Sequence, residues 1–230
     1  MIPIRDENPT TITPIVTVTL ITVNVAVFLY QLSLGAQGEG FVAMFGAVPA
    51  AMFGGDAFSP IPPSATLLTA MFLHGGLMHI GGNMLYLWIF GNNIEDAMGH
   101  GRFVVFYVLC GVVAAYAHAV TAPGSTVPMI GASGAISGVL GAYLLLFPRA
   151  RVLTWIPLGV FSRMEYIPAA WLLGFWIALQ FLNGTMSLGR AGGGVAWFAH
   201  VGGFVTGLVV VKLFIRRTPR SDRPRSRSFS

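Results

Sequence analysis

The chain has 230 residues, of which 55% are hydrophobic and only 9% charged, against about 25% charged in ordinary soluble domains. Cys110 is the only cysteine, which excludes an intrachain disulfide scaffold, and the apolar content excludes a disordered chain. The net charge of +5 is concentrated: seven of the thirteen Lys and Arg residues lie between Lys212 and Arg227. A basic segment just after an apolar run reads as an anchor on anionic membrane lipid. No nucleic-acid recognition fold accompanies it, so no nucleic-acid partner is expected.

The class is a polytopic membrane protein. Six segments have the length and apolarity of spans: 13–34, 67–91, 102–121, 131–148, 166–188 and 194–215. The fold expected is all-α, with six transmembrane helices. Residues 1–12 form a cytoplasmic N-terminus, residues 13–215 the membrane domain, and residues 216–230 a disordered basic cytoplasmic tail. The first span has no clear small-residue cleavage site and reads as retained rather than as a signal peptide. Residues 35–66 carry no Lys or Arg and read as an external loop resting in the membrane interface. Its Gly and Pro content argues against a long helix there.

Orientation follows from the cations. With the N-terminus inside, Arg5, Arg102, Arg149, Arg151, Arg163 and the seven cations from Lys212 onward are cytoplasmic, and only Arg190 is external. Twelve against one is a strong positive-inside bias. An even number of spans then puts both termini in the cytoplasm. The short N-terminus, without a targeting peptide, points to a prokaryotic plasma membrane.

Polar side chains inside apolar spans mark function. No Asp or Glu lies within a span interior; Glu95, Asp96 and Glu165 sit at ends. That removes a diaspartyl protease and weakens a proton-coupled carrier. Without H-E-x-x-H or a carboxylate beside the histidines, no metal site is expected, and no cofactor. The two halves show no repeat, which weakens a transporter built on inverted repeats.

Ser, His and Asn remain. The fourth span opens with Gly131-Ala132-Ser133-Gly134, and Gly134, Gly138 and Gly141 line one helix face. The sixth span carries His200 followed by Gly203 and Gly207 on one face. Plain helix packing explains a lone small-xxx-small face. Here each glycine face carries a reactive side chain, and close backbone approach is what a serine needs to reach a histidine at about 2.6–3.2 Å. With no buried carboxylate beside His200, Ser133 and His200 would form a dyad rather than a triad. His79 and Asn83, four residues apart on the second span, are candidate oxyanion donors, as is the free N–H of Ser133 at a helix start. The alternative for His79 and Asn83 is an interhelical polar clamp.

These residues resemble the rhomboid intramembrane serine proteases across nearly all of residues 10–215. The matching motifs are Gly131-Ala132-Ser133-Gly134, His79 through Asn83, and His200 through Gly207, and Glu95 fits the same pattern. The resemblance implies Ser133 as nucleophile, His200 as general base, and His79 and Asn83 at the oxyanion. It implies structural roles for His74, Gly131, Gly134, Gly203 and Gly207, with His74 bonding within the external loop. It implies six core helices, no cofactor, and cleavage of transmembrane protein substrates in or near the bilayer. Two departures stand out. Residues 35–66 contain no Trp-Arg pair, and Ser137 replaces the tyrosine that some members stack under the histidine. A non-catalytic client-binding relative and a transporter remain as competing classes.

Overall fold

The computed structural model describes residues 1–56, 58–159, 161–188 and 195–216. The tail expected to be disordered therefore lies outside the described residues, apart from Arg216, as does Arg190.

The chain is mostly helical, but it is not all-α. Strand β1 (Ile2–Asp6) pairs antiparallel with β2 (Arg151–Leu158), which pairs antiparallel with β3 (Phe161–Pro168). The β2–β3 connection contains Gly159 at φ +65°, a conformation glycine adopts without a Cβ penalty. The sequence between the fourth and fifth spans reads as a charged loop because Arg149, Arg151 and Arg163 dominate it. Among those cations and just after them lie Val152, Thr154, Trp155, Ile156, Tyr166 and Ile167, types that favour a half-buried pleated surface. Val152 and Thr154 are buried. Asp6 ends β1, and its carboxylate accepts a 2.6 Å bond from the Tyr143 hydroxyl. Burial pushes the Asp6 carboxyl above its ordinary range, against the lowering effect of that bond.

Among the described residues, four helices are long and apolar enough to cross a membrane: α1 (Ile15–Ser33), α7 (His100–Ala119), α9 (Ala169–Ser187) and α10 (Trp197–Phe214). Between α1 and α7 lie short helices α2 (Gly38–Phe45), α3 (Pro49–Met52) and α4 (Pro63–Thr69), then α5 (Leu77–Tyr86) and α6 (Asn92–Met98). The expected 67–91 span is thus not one helix. Its first six residues belong to α4 and a 3-10 turn over Ala70–Phe72. Gly75 and Gly76, the latter at φ +156°, separate that piece from α5. From Leu77 the helix continues through a π turn (Leu87–Gly91) into α6. The expected 131–148 span is a 14-residue helix, α8 (Ser133–Leu146). Individual helix lengths thus give four spans where hydropathy suggests six.

Helix α8 is the axis of the bundle. Every residue from Gly134 to Tyr143 is buried, as an all-round apolar helix requires. Tyr107, Phe103 and Phe106 of α7 and Leu173 of α9 are buried in the same core. On the outside, Leu29, Val105, Trp171, Val209 and Leu213 are exposed. Large apolar side chains spread around a surface need lipid against them.

One end of the bundle is polar. Glu95 is fully buried there. It accepts from the N–H groups of Val16 (2.9 Å) and Thr17 (2.8 Å) and from the Thr17 hydroxyl (2.7 Å), and pairs with His100 Nδ1 at 2.6 Å. A carboxylate at the first turn of α1 satisfies orphan donors and complements the helix dipole. The same end holds the sheet, the Asn93–Asn8 bond, and Arg102 and Arg216 bridging α10 to the α6–α7 corner.

Candidate active site

Ser133 is the first residue of α8 and Ala132 its N-cap, so the Ser133 N–H has no carbonyl four residues back in the helix to bond. At 1.5 Å per residue α8 rises about 21 Å from the polar end, short of the roughly 30 Å of a hydrocarbon core. Residues 120–132 lead from the end of α7 into Ser133 without a helix.

His200 lies in the first turn of α10 and is buried. Its Nε2 is 2.9 Å from Ser133 Oγ. The glycine faces explain why two helices come so close. A Cβ on Gly203 would overlap the backbone carbonyl of Gly134, and one on Gly207 would overlap that of Gly138. Gly141 in turn packs on the backbone of Phe204. Helices α8 and α10 meet backbone to backbone over about two turns, and the hydroxyl and imidazole at the open end of the seam fall within hydrogen-bond reach.

Gly131, two residues before the serine, sits at φ +116°. A Cβ there would meet His79 Nε2 at 2.7 Å and lie 3.7 Å from Asn83 Nδ2. Both excess strain and contact reserve the position for glycine. His79 Nδ1 accepts a 3.2 Å bond from the Gly75 N–H. An accepting Nδ1 in a neutral imidazole puts the proton on Nε2, the atom that faces Gly131. Asn83 is buried, and its Nδ2 has no partner among the described residues. His79, Asn83 and the start of α8 thus line one cavity, with N–H groups on each. A hydroxyl beside an imidazole, with N–H groups on the same cavity, can supply a nucleophile, a base and donors for a developing negative charge.

The remaining expected residues are placed as follows. The His74 backbone is held on both sides by the Gln31 amide, N–H to Oε1 at 3.1 Å and Nε2 to carbonyl at 3.2 Å. Its ring lies edge-on to His79 at 5.1 Å, and neither ring nitrogen has a partner among the described residues. Gly134 packs on Ala114 of α7. Ser137 donates back to the Ser133 carbonyl at 2.6 Å.

Two features were not legible in the motifs. Gln180, a buried residue on α9, lies 2.8 Å from His200 Nδ1 through its Oε1. Trp176, one turn earlier, packs against the His200 ring at 5.8 Å and 34°. The site opens into a cavity of about 1370 Å³ lined by His79, Asn83, His118, Ser133, Trp176 and His200, among others. That is ample for an extended peptide segment and its waters.

The comparisons agree with this architecture. The family model "Rhomboid domain" matches residues 64–217. The chain is similar to a presenilin-associated rhomboid-like protein, mitochondrial, of Bos taurus, at 30% identity over 63% of this chain and 41% of that protein. It is similar to rhomboid protease GluP of Bacillus subtilis, at 34% identity over 59% of this chain and 26% of that one. It is also similar to rhomboid protein 1, mitochondrial, of Saccharomyces cerevisiae, at 31% identity over 70% and 44%. The chain thus spans less than half the length of these relatives. A membrane-buried helical core with backbone-packed glycine seams, matched by a family model over two thirds of its length, settles the kinship: the chain belongs to the rhomboid family.

Proposed function

We propose that the protein is an intramembrane serine endopeptidase that cleaves transmembrane protein substrates in or near the bilayer with a Ser133–His200 dyad. The observation that carries this is the 2.9 Å contact between Ser133 Oγ and His200 Nε2 on the wall of the cavity. The hydroxyl proton passes to Nε2 as Oγ attacks the scissile carbonyl. The oxyanion takes hydrogen bonds from the Ser133 N–H, His79 and Asn83. His200 then gives its proton to the leaving amine, and a water activated by the same imidazole releases the acyl group. No cofactor takes part. Labelling of the purified protein by a fluorophosphonate at Ser133 tests it. A folded sample that does not label would favour a client-binding role without cleavage.

Asn83 and His79 make a graded expectation. Asn83→Ala lowers turnover by roughly 10²-fold, the size of one engaged oxyanion donor, with labelling at Ser133 retained. His79→Ala lowers it as well. Unchanged kinetics in both variants would return the pair to a polar clamp between helices.

The six-span architecture and the boundaries at residues 13 and 215 belong to the same proposal. The run Leu77–Met98 and helix α8 complete the four long helices. Clustering of Arg5, Arg102, Arg149, Arg151, Arg163 and Arg216 at the polar end supports a cytoplasmic location for that end and for both termini. A cysteine at Ser64, which is exposed, should react with an impermeant maleimide from outside, and one at Ser226 only after permeabilisation. External reactivity at Ser226 would invert the topology. A membrane location accords with the exposed apolar surface. For the compartment, the Bacillus relative supports a prokaryotic plasma membrane, whereas the mitochondrial relatives run against it.

A further inference from the structure

We infer that Gln180 is a positioning residue that fixes the tautomer and orientation of His200, so that the dyad works with a neutral amide in the place a carboxylate occupies in a triad. The inference deepens the protease proposal and rests on it for its kinetic consequences. The evidence is a chain of three hydrogen-bonding groups whose directions are forced. The Trp176 backbone carbonyl can only accept. It lies 3.3 Å from Gln180 Nε2, so the amide NH2 of Gln180 faces that carbonyl and its oxygen faces away. That oxygen, itself only an acceptor, lies 2.8 Å from His200 Nδ1. Nδ1 must therefore carry the proton. In the neutral imidazole Nε2 is then bare and accepts from Ser133 Oγ at 2.9 Å. The tautomer needed for a general base is thus set by a backbone carbonyl on α9, three hydrogen bonds removed from the nucleophile.

A neutral partner suits this location. An ionised carboxylate buried here would carry a large desolvation cost. An amide holds the ring with a hydrogen bond and leaves no charge when His200 is neutral. Asn in the third position of Cys-His-Asn proteases does the same on unrelated folds. The rest of the ring is held by aromatic groups from the neighbouring segments. Trp176 packs against its face at 5.8 Å, and Trp197 meets its edge at 6.2 Å and 89°. Helix α9 thus supplies from outside the support that Ser137, turned back onto α8, does not.

The test separates an acceptor from a space-filler. Gln180→Met keeps the length and volume of the side chain and removes the oxygen. Gln180→Glu keeps an acceptor facing Nδ1 and loses the donor to Trp176. Expected, per folded molecule, are a fall in kcat of roughly ten- to a hundred-fold for Gln180→Met at unchanged KM, and kcat within about threefold of the parent for Gln180→Glu, whose desolvation cost falls on stability. A purely structural glutamine predicts the reverse order, because a buried charge with a lost donor is the more damaging change. Parental kcat in Gln180→Met, or equal losses in both variants, overturns the inference. Should a variant not fold, ¹⁵N shifts of His200 in the unmutated protein decide directly. Protonated Nδ1 with bare Nε2 is expected, and protonated Nε2 overturns the assignment. The NMR result does not depend on turnover. A protein with protonated Nδ1 but no peptidase activity would therefore sink the protease proposal and leave the positioning of His200 standing.

Discussion

Ser133→Ala is expected to abolish hydrolysis of a transmembrane substrate, by roughly 10⁴-fold or more, with the chain still inserted and folded. The loss is that large because no second nucleophile is offered at the start of α8. Ser137 is turned away and donates to the Ser133 carbonyl. Removing one hydroxyl that bonds only His200 should cost about 1 kcal/mol of stability, so melting in detergent should barely move. His200→Ala should be as inactive but less stable, by about 1–3 kcal/mol, since it leaves the buried Gln180 oxygen without its donor. Cleavage of a fluorescent substrate and fluorophosphonate labelling, each normalised to folded protein, check both. Full activity in either variant would refute the dyad.

Gly203→Ala is the second large effect. A graded series, with Leu worse than Ala, follows from the small-residue pattern alone. The structure sharpens it, because the first added carbon already overlaps the Gly134 carbonyl and lies 3.3 Å from the Ser137 Cβ. Backbone cannot step aside as a flexible side chain can. The two helices must separate, and about 1 Å of misplacement at a reacting pair can cost about 10²-fold in rate. Gly203→Ala should therefore lose most activity per folded molecule, and Gly203→Leu should also melt markedly lower. Gly174→Ala on α9 is the control. Its Cβ would meet nothing within 4 Å, so replacement should be neutral or slightly stabilising, up to about 1 kcal/mol. Undiminished activity per folded Gly203→Leu molecule would break the link between seam and dyad.

What could be read from the sequence was what short-range spacing encodes. Gly134, Gly138 and Gly141, and Gly203 and Gly207, lie on helix faces by periodicity alone, and Ser133 and His200 occupy the ends of those faces. Gln180 escaped for the opposite reason. It is a single amide on an otherwise apolar helix, and its meaning depends on which way α9 turns toward α10. The sheet was hidden because arginines at Arg149, Arg151 and Arg163 outweigh the β-branched and aromatic residues between them in any hydropathy sum. The break before α5 was hidden because averaging over about 20 residues cannot see that Gly75 and Gly76 interrupt a helix. Hydropathy reports what prefers lipid, not where the backbone turns.

The latch formed by Glu95 bears on how the molecule is assembled. The two amides it satisfies, at Val16 and Thr17, emerge from the ribosome almost eighty residues before it does. Until the α6 segment arrives, the first span has no partner for those groups at its own terminus. It must wait at the membrane boundary, where water or lipid headgroups can serve instead. Completion of this contact therefore follows synthesis of α6 and can precede that of α7 to α10, tied to the arrival of one carboxylate.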